Sequence, residues 1–205
     1  MKRGMTIIIV LLVAIFLSAC GTDNEEETNT QNQEGTSSES DPTNEEQAQE
    51  TNATAEEEVL VSLKNAEDVV VGTATLTEDD SGVSIHLEGE NLPPGTHGFH
   101  IHEAGVCEPP DFESAGGHYN PTDAKHGFEH PEGPHAGDLE NIVVSDDGTV
   151  NVEVIADMVT LEQGAENTLY TEDGTALIIH SGADDYISQP SGDAGDRIAC
   201  GVIGE

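Results

Sequence analysis

Residues 59–205 predict an all-β domain, a sandwich or barrel, on three observations. Apolar residues alternate with polar ones over short runs, the period-two signature of a strand with one buried face. Gly, Pro and Asp clusters punctuate those runs, as turns do between antiparallel strands. No long stretch repeats its apolar residues at helical spacing.

The runs follow in order. Val59, Val61 and Leu63 form the first, Val69 to Leu76 the second, and Val83, Ile85 and Leu87 the third. The stretch ending at His100-Ile101-His102 alternates in the same way. Asp147-Gly148 is a hairpin turn signal, with Ile142-Val143-Val144 before it and Val150, Val152 and Val154 after it. Ala176 to Ile179 is a short apolar run. Residues 103–140 and 181–199 fit no strand and are rich in Gly, Pro, His and Asp. Long loops in a compact β domain usually carry function.

Two segments precede this domain. Residues 1–20 read as a targeting signal: Lys2 and Arg3, then an apolar run from Met5 to Leu17, then Ser18-Ala19-Cys20-Gly21. Small residues before a Cys resemble the lipobox of bacterial lipoproteins, in which cleavage leaves a lipid on Cys20. An uncleaved anchor and an ordinary signal peptide are the alternatives. Residues 21–58 hold 13 acids, no Lys or Arg, and otherwise mostly Asn, Gln, Thr and Ser. Such a segment buries too little apolar surface to offset its ordering entropy, so a disordered tether is expected. Coil scaling gives it a reach of roughly 35 Å.

Charge excludes whole classes of function. The 205 residues carry 42 Asp+Glu against 5 Lys+Arg, a formal net charge of −37. Nucleic-acid binding needs a basic face, and five basic residues cannot build one. A polytopic membrane protein needs repeated apolar runs of about 20 residues, and only one apolar run exists.

The histidines point to a metal. On a strand, His100 and His102 project to the same side about 6.6 Å apart, close enough for two imidazoles to share an ion. His118, His126, His135 and Asp138 follow in the long loop, and His180 closes the run from Ala176. His97 falls out of phase with His100 and His102 and reads as structural. His86 reads as exposed, and His130 as a surface residue.

His97-Gly98-Phe99-His100-Ile101-His102-Glu103, Gly116-Gly117-His118-Tyr119-Asn120-Pro121, Lys125-His126-Gly127, His135-Ala136-Gly137-Asp138-Leu139 and Gly195-Asp196-Arg197-Ile198-Ala199-Cys200-Gly201 occur in this order. Together they resemble the signatures of copper/zinc superoxide dismutases, across essentially all of residues 59–205. His102 to Cys107 is most similar to the bacterial branch. The resemblance implies a Greek-key sandwich or flattened barrel of about eight antiparallel strands, with copper and zinc as cofactors. It implies copper ligation by His100, His102, His118 and His180, and zinc ligation by His118, His126, His135 and Asp138. His118 is then the bridging imidazolate and a proton carrier, and Arg197 the residue that guides superoxide. Asp184 resembles the carboxylate linking a copper His to a zinc His. Cys107 and Cys200 match the family's disulfide, which leaves Cys20 for lipid; free thiols are the alternative pairing state.

The resemblance implies a superoxide dismutase, here held by lipid on Cys20 at the extracytoplasmic face of a bacterial membrane. Monomer and homodimer both occur among such proteins. One feature departs from the family: residues 181–196 contain no Lys or Arg, and Asp193 and Asp196 lie close in sequence to Arg197. An acidic copper mouth implies weak steering of an anionic substrate. A copper- and zinc-binding surface lipoprotein that buffers metal with little turnover is the alternative function.

Overall fold

The computed structural model describes residues 58–204. The expected signal segment 1–20 with Cys20, and the tether up to residue 57, lie outside the described residues. Among the described residues nine strands form: β1 (Val59–Lys64), β2 (Val70–Asp79), β3 (Gly82–Gly89), β4 (Gly95–His97), β5 (Phe99–His102), β6 (Ile142–Val144), β7 (Val150–Ala156), β8 (Thr175–His180) and β9 (Arg197–Ile203). One 3₁₀ turn, Glu113–Ala115, interrupts the first long loop. No helix among the described residues is long and apolar enough to cross a membrane.

Seven strands make one antiparallel sheet in the order β5-β8-β9-β1-β2-β3-β7, and β4 pairs with β6 in a second. The small sheet has a closing role. Gly98 alone separates β4 from β5, and a five-residue turn separates β6 from β7. Since β5 and β7 are the two edges of the large sheet, the β4–β6 ladder joins those edges.

The alternating runs bury the faces that they predict. Val61, Leu63, Ala74, Leu76, Val83, Ile85 and Leu87 are buried and share one core with Phe99, Ile101, Leu177 and Ile179. β8 is buried on both sides, because Ala176 and Ile178 turn outward onto a second cluster with Phe112, Ala115 and Cys200. The first long loop therefore lies over the outer face of β8.

Three details differ from expectation. Residues 197–199 belong to β9 and not to the loop. The Asp147-Gly148 turn forms, with Gly148 at φ +82° and its N–H donating to the Ser145 carbonyl at 2.9 Å. The strands beside it nevertheless do not pair: β6 joins β4 and β7 joins β3. Local turn chemistry fixes the reversal, while burial decides which sheet each arm enters. Finally, His86 is half-buried rather than exposed, bonded through Nε2 to Asn151 Oδ1 at 3.1 Å.

Candidate metal centre

β5 is where the site starts. Its alternation turns Phe99 and Ile101 into the core and His100 and His102 the other way, under the loops, where they too are buried. The first long loop returns along β5. The Ile101 N–H donates to the Gly137 carbonyl, the Tyr119 N–H to the Ile101 carbonyl, and the Gly137 N–H to the Tyr119 carbonyl, each at 2.8 Å. This register sets His118 across from His102 and Asp138 across from His100. The last residue of β8, His180, arrives from the neighbouring strand. His97, out of phase as expected, is buried elsewhere and bonds the carbonyls of His180 and Pro93, both at 2.8 Å. His130 is partly buried, and its Nδ1 accepts from the Glu132 N–H at 3.1 Å.

Two groups result. One potential ligand atom from each of His100, His102, His118 and His180 lies within 4.8 Å of the others, and the same holds for His118, His126, His135 and Asp138. In the first group, His100 Nδ1 and the Nε2 atoms of His102, His118 and His180 are buried with no hydrogen-bond partner. A buried imidazole nitrogen without a partner costs about 1–3 kcal/mol, so four together fit a shared metal ion. The opposite nitrogen of each ring is held: His102 Nδ1 by the Gly116 carbonyl at 3.0 Å, His180 Nδ1 by the Gly195 carbonyl at 3.1 Å, and His100 Nε2 by Asp184 Oδ2 at 2.8 Å. Those outer bonds orient each ring and select its free nitrogen.

In the second group, the Nδ1 atoms of His118, His126 and His135 converge on Asp138 Oδ1 at 2.7, 3.0 and 3.2 Å. Asp138 Oδ2 instead accepts the N–H groups of Gly127 and His135 at 2.8 and 2.9 Å. Three nitrogens and one oxygen, mostly shielded from water, match a closed zinc site. His118 belongs to both groups, with Nδ1 toward Asp138 and Nε2 toward the all-imidazole group.

Asp184 connects the groups from outside. Oδ2 bonds His100, and Oδ1 bonds His126 Nε2 at 3.0 Å. Gly192 makes room for this contact. Its φ is +66°, and a Cβ there would lie 1.7 Å from Asp184 Oδ1 and 2.6 Å from His126 Nε2. Sequence reasoning identified Asp184 but missed its supports. Asn141 brackets the Asp184 backbone, its Oδ1 accepting from the N–H and its Nδ2 donating to the carbonyl, at 2.9 and 2.8 Å. Gln189 does the same for His126, at 3.0 and 2.9 Å. Amide side chains in loops carry no local signal of a contact 43 or 63 residues away.

Arg197 donates from Nη1 to the Phe112 carbonyl and from Nη2 to the Gly116 carbonyl, both at 2.6 Å. Gly116 O is also the acceptor for His102, which places Arg197 beside the first group. Three residues along β9, Cys200 is disulfide-bonded to Cys107, with Cα atoms 5.7 Å apart, the pairing that the resemblance implies. A cleft of about 510 Å³ reaches His102, His118 and His180 past Arg197, with Glu103 and Asp123 as its acids. Asp196 faces a separate hollow on the other side of Arg197, with Asp111 and Glu113. Asp193 is exposed and lines neither space.

Burial sets the titration of the imidazoles. It pushes His100 down to about 3, His102 to about 2 and His180 to about 4, from an ordinary value of 6.5. His126 is the exception: burial opposes its charge, but the carboxylates of Asp138 and Asp184 on its two nitrogens raise it to about 9. The carboxyls of Asp138 and Asp184 lie below their usual range: burial opposes this, but the histidines bonded to them prevail. In the metal-stripped domain the first three histidines therefore contribute stability that is complete above pH 6.5. Below it the unfolded chain takes protons that the fold refuses, and that stability is lost toward pH 4. The contribution of His126 runs the other way, complete below pH 6.5 and lost as pH rises through about 9. Thermal melts of the stripped domain should fall steeply from pH 6.5 to 4; a flat acid limb would contradict the burial argument.

With this geometry the comparisons agree. The model of copper/zinc superoxide dismutase (SODC) matches residues 70–203, and the chain belongs to that family. Superoxide dismutase [Cu-Zn] 2 of Aquifex aeolicus is 56% identical over 142 residues, covering 69% of this chain and 83% of the relative. Superoxide dismutase-like protein YojM of Bacillus subtilis is 48% identical over 145 residues, covering 70% and 74%. Among solved structures, a SOD-like protein from Bacillus subtilis superposes with a TM-score of 0.68 at 48% identity, covering 70% of this chain and 96% of that one. Cu/Zn superoxide dismutase from Brucella abortus gives 0.60 at 34% identity, covering 71% and 99%. The family uses copper and zinc, and the two side-chain groups suit those two ions.

Proposed function

We propose that the chain is an active superoxide dismutase. The observation that carries this reading is the set of four unpartnered imidazole nitrogens beside Arg197 at the end of an open cleft. His100, His102, His118 and His180 would hold copper, and His118, His126, His135 and Asp138 would hold zinc. Copper, when bound, supplies one-electron redox chemistry, by which one superoxide is oxidised to O₂ and a second is reduced, with two protons, to H₂O₂. Arg197 attracts the anion, its guanidinium held in place by two backbone carbonyls. His118 lines the cleft, so its Nε2 is the nearby atom that can carry a proton to product. Asp138 steadies that ring through Nδ1, and Asp184 keeps His100 and His126 in fixed tautomers.

The test is superoxide turnover by the protein reconstituted with both metals. Rapid turnover supports the reading. Stoichiometric binding of copper and zinc without turnover would overturn it in favour of a metal buffer.

Electrostatics sets an unusual expectation. Glu103 and Asp123 line the cleft, and Asp111, Glu113 and Asp196 crowd the far side of Arg197. Added salt screens their repulsion of an anion, so turnover should rise, or fall only slightly, between about 10 and 150 mM ionic strength. A steep loss of rate with salt would show that attraction to Arg197 dominates.

The location belongs to the same proposal. Small residues ahead of Cys20 support lipid attachment there and residence at the extracytoplasmic face of a bacterial membrane. The Cys107–Cys200 bond is consistent with an oxidising compartment. Cys20→Ala should move the protein from the membrane fraction to the soluble one; unchanged membrane retention would favour an uncleaved anchor.

A further inference from the structure

The acids of the cleft are a handicap for an anionic substrate and an advantage for a cation. We propose that Glu103 and Asp123 make the cleft a capture port for copper ions, which concentrates the metal ahead of the all-imidazole group. The inference rests on that group being the copper site.

Three observations carry it. The same cleft that holds Glu103 and Asp123 is lined by His102, His118 and His180, whose buried Nε2 atoms lack any partner. An incoming cation thus passes carboxylates before it reaches the unpartnered nitrogen donors. Both carboxylates are exposed at the rim, and that of Glu103 is fixed there: Oε1 accepts the Gly117 N–H at 2.9 Å, next in sequence to His118. The opposing charge is also constrained. Arg197 is the cationic side chain lining the cleft, both of its terminal nitrogens are bonded to carbonyls, and Asp111, Glu113 and Asp196 lie on its other side.

A negative, partly enclosed cleft focuses its field on the approach path and raises the local concentration of cations. Carboxylates hold divalent ions weakly, whereas imidazoles hold copper far more tightly. Copper therefore has a downhill route from rim to floor. Asymmetry of charge follows directly: salt should slow the entry of copper and spare or speed the entry of superoxide.

The experiment is stopped-flow mixing of aqueous Cu(II) with the full-length protein, zinc-loaded, copper-free and held in neutral detergent. The visible absorption of imidazole-bound Cu(II) reports uptake. At low salt the double variant Glu103→Gln/Asp123→Asn should take up copper about threefold to tenfold more slowly, with unchanged final stoichiometry. The unsubstituted rate should drop by a similar factor as sodium nitrate is raised, and that salt dependence should shrink in the variant. The control Asp80→Asn/Glu88→Gln removes two charges from the β2–β3 hairpin and should leave the rate unchanged. Equal uptake by both double variants and the unsubstituted protein would overturn the port. Equal slowing in both variants would assign the effect to net charge and overturn it too. Absence of the visible band in the unsubstituted protein would overturn the copper assignment itself, and the port with it.

Discussion

His180→Ala should abolish superoxide turnover while leaving zinc uptake close to normal. His180 belongs to the all-imidazole group and not to the group around Asp138, so its loss removes one of four nitrogens from the proposed copper site alone. Partners outside a metal's own ligands typically cost 10–100-fold in affinity when removed, and a ligand costs more, so copper affinity should fall by at least about 100-fold. Asp184→Ala is the informative companion. It touches neither proposed ion, yet it strips His100 and His126 of their outer bonds at once. It should weaken the retention of both metals by about 10–100-fold. Metal analysis after dialysis against a chelator would separate the two variants. Normal copper retention in His180→Ala would remove His180 from the ligand set, and selective loss of one metal in Asp184→Ala would refute its linking role.

Breaking the disulfide should produce the largest loss of stability short of unfolding the core. Cys107 and Cys200 are 93 residues apart. Chain-entropy arguments put a crosslink over such a loop at about 4–5 kcal/mol, with measured effects often smaller. Its position matters as much as its length. It pins the front of the first loop onto β9, three residues from Arg197. That loop also supplies the Phe112 and Gly116 carbonyls that hold the guanidinium. Cys107→Ser/Cys200→Ser should therefore lower the denaturant midpoint and also slow turnover at temperatures where the fold survives. Loss of stability with unaltered turnover would mean that the loop holds Arg197 without help from the crosslink.

Much of the molecule is written in local pattern. The period-two runs around Val61, Ile85, Ile101 and Val152 are strands because one face of each needs burial. That requirement acts over a few residues. The metal chemistry is equally local in origin: imidazoles at i and i+2 on a strand, and His135 three residues before Asp138, stay together under almost any packing. The motif resemblance added the ligand partition, and the geometry of the two groups accords with it.

Other features exist only after the loops close. Asp147-Gly148 turns the chain as its residues require, but β6 and β7 enter different sheets because distant edges need partners. Asn141 and Gln189 become supports of Asp184 and His126 through contacts 43 and 63 residues apart. Asp193, close to Arg197 in sequence, lies outside the cleft, whereas Glu103 and Asp123, remote in sequence from Arg197, line it. The physical reason is common to all of these. Residue type and spacing determined which groups could bind metal and which runs could form a sheet, whereas sheet pairing and loop closure decided which nitrogen of each ring stays free and which charges an incoming ion meets.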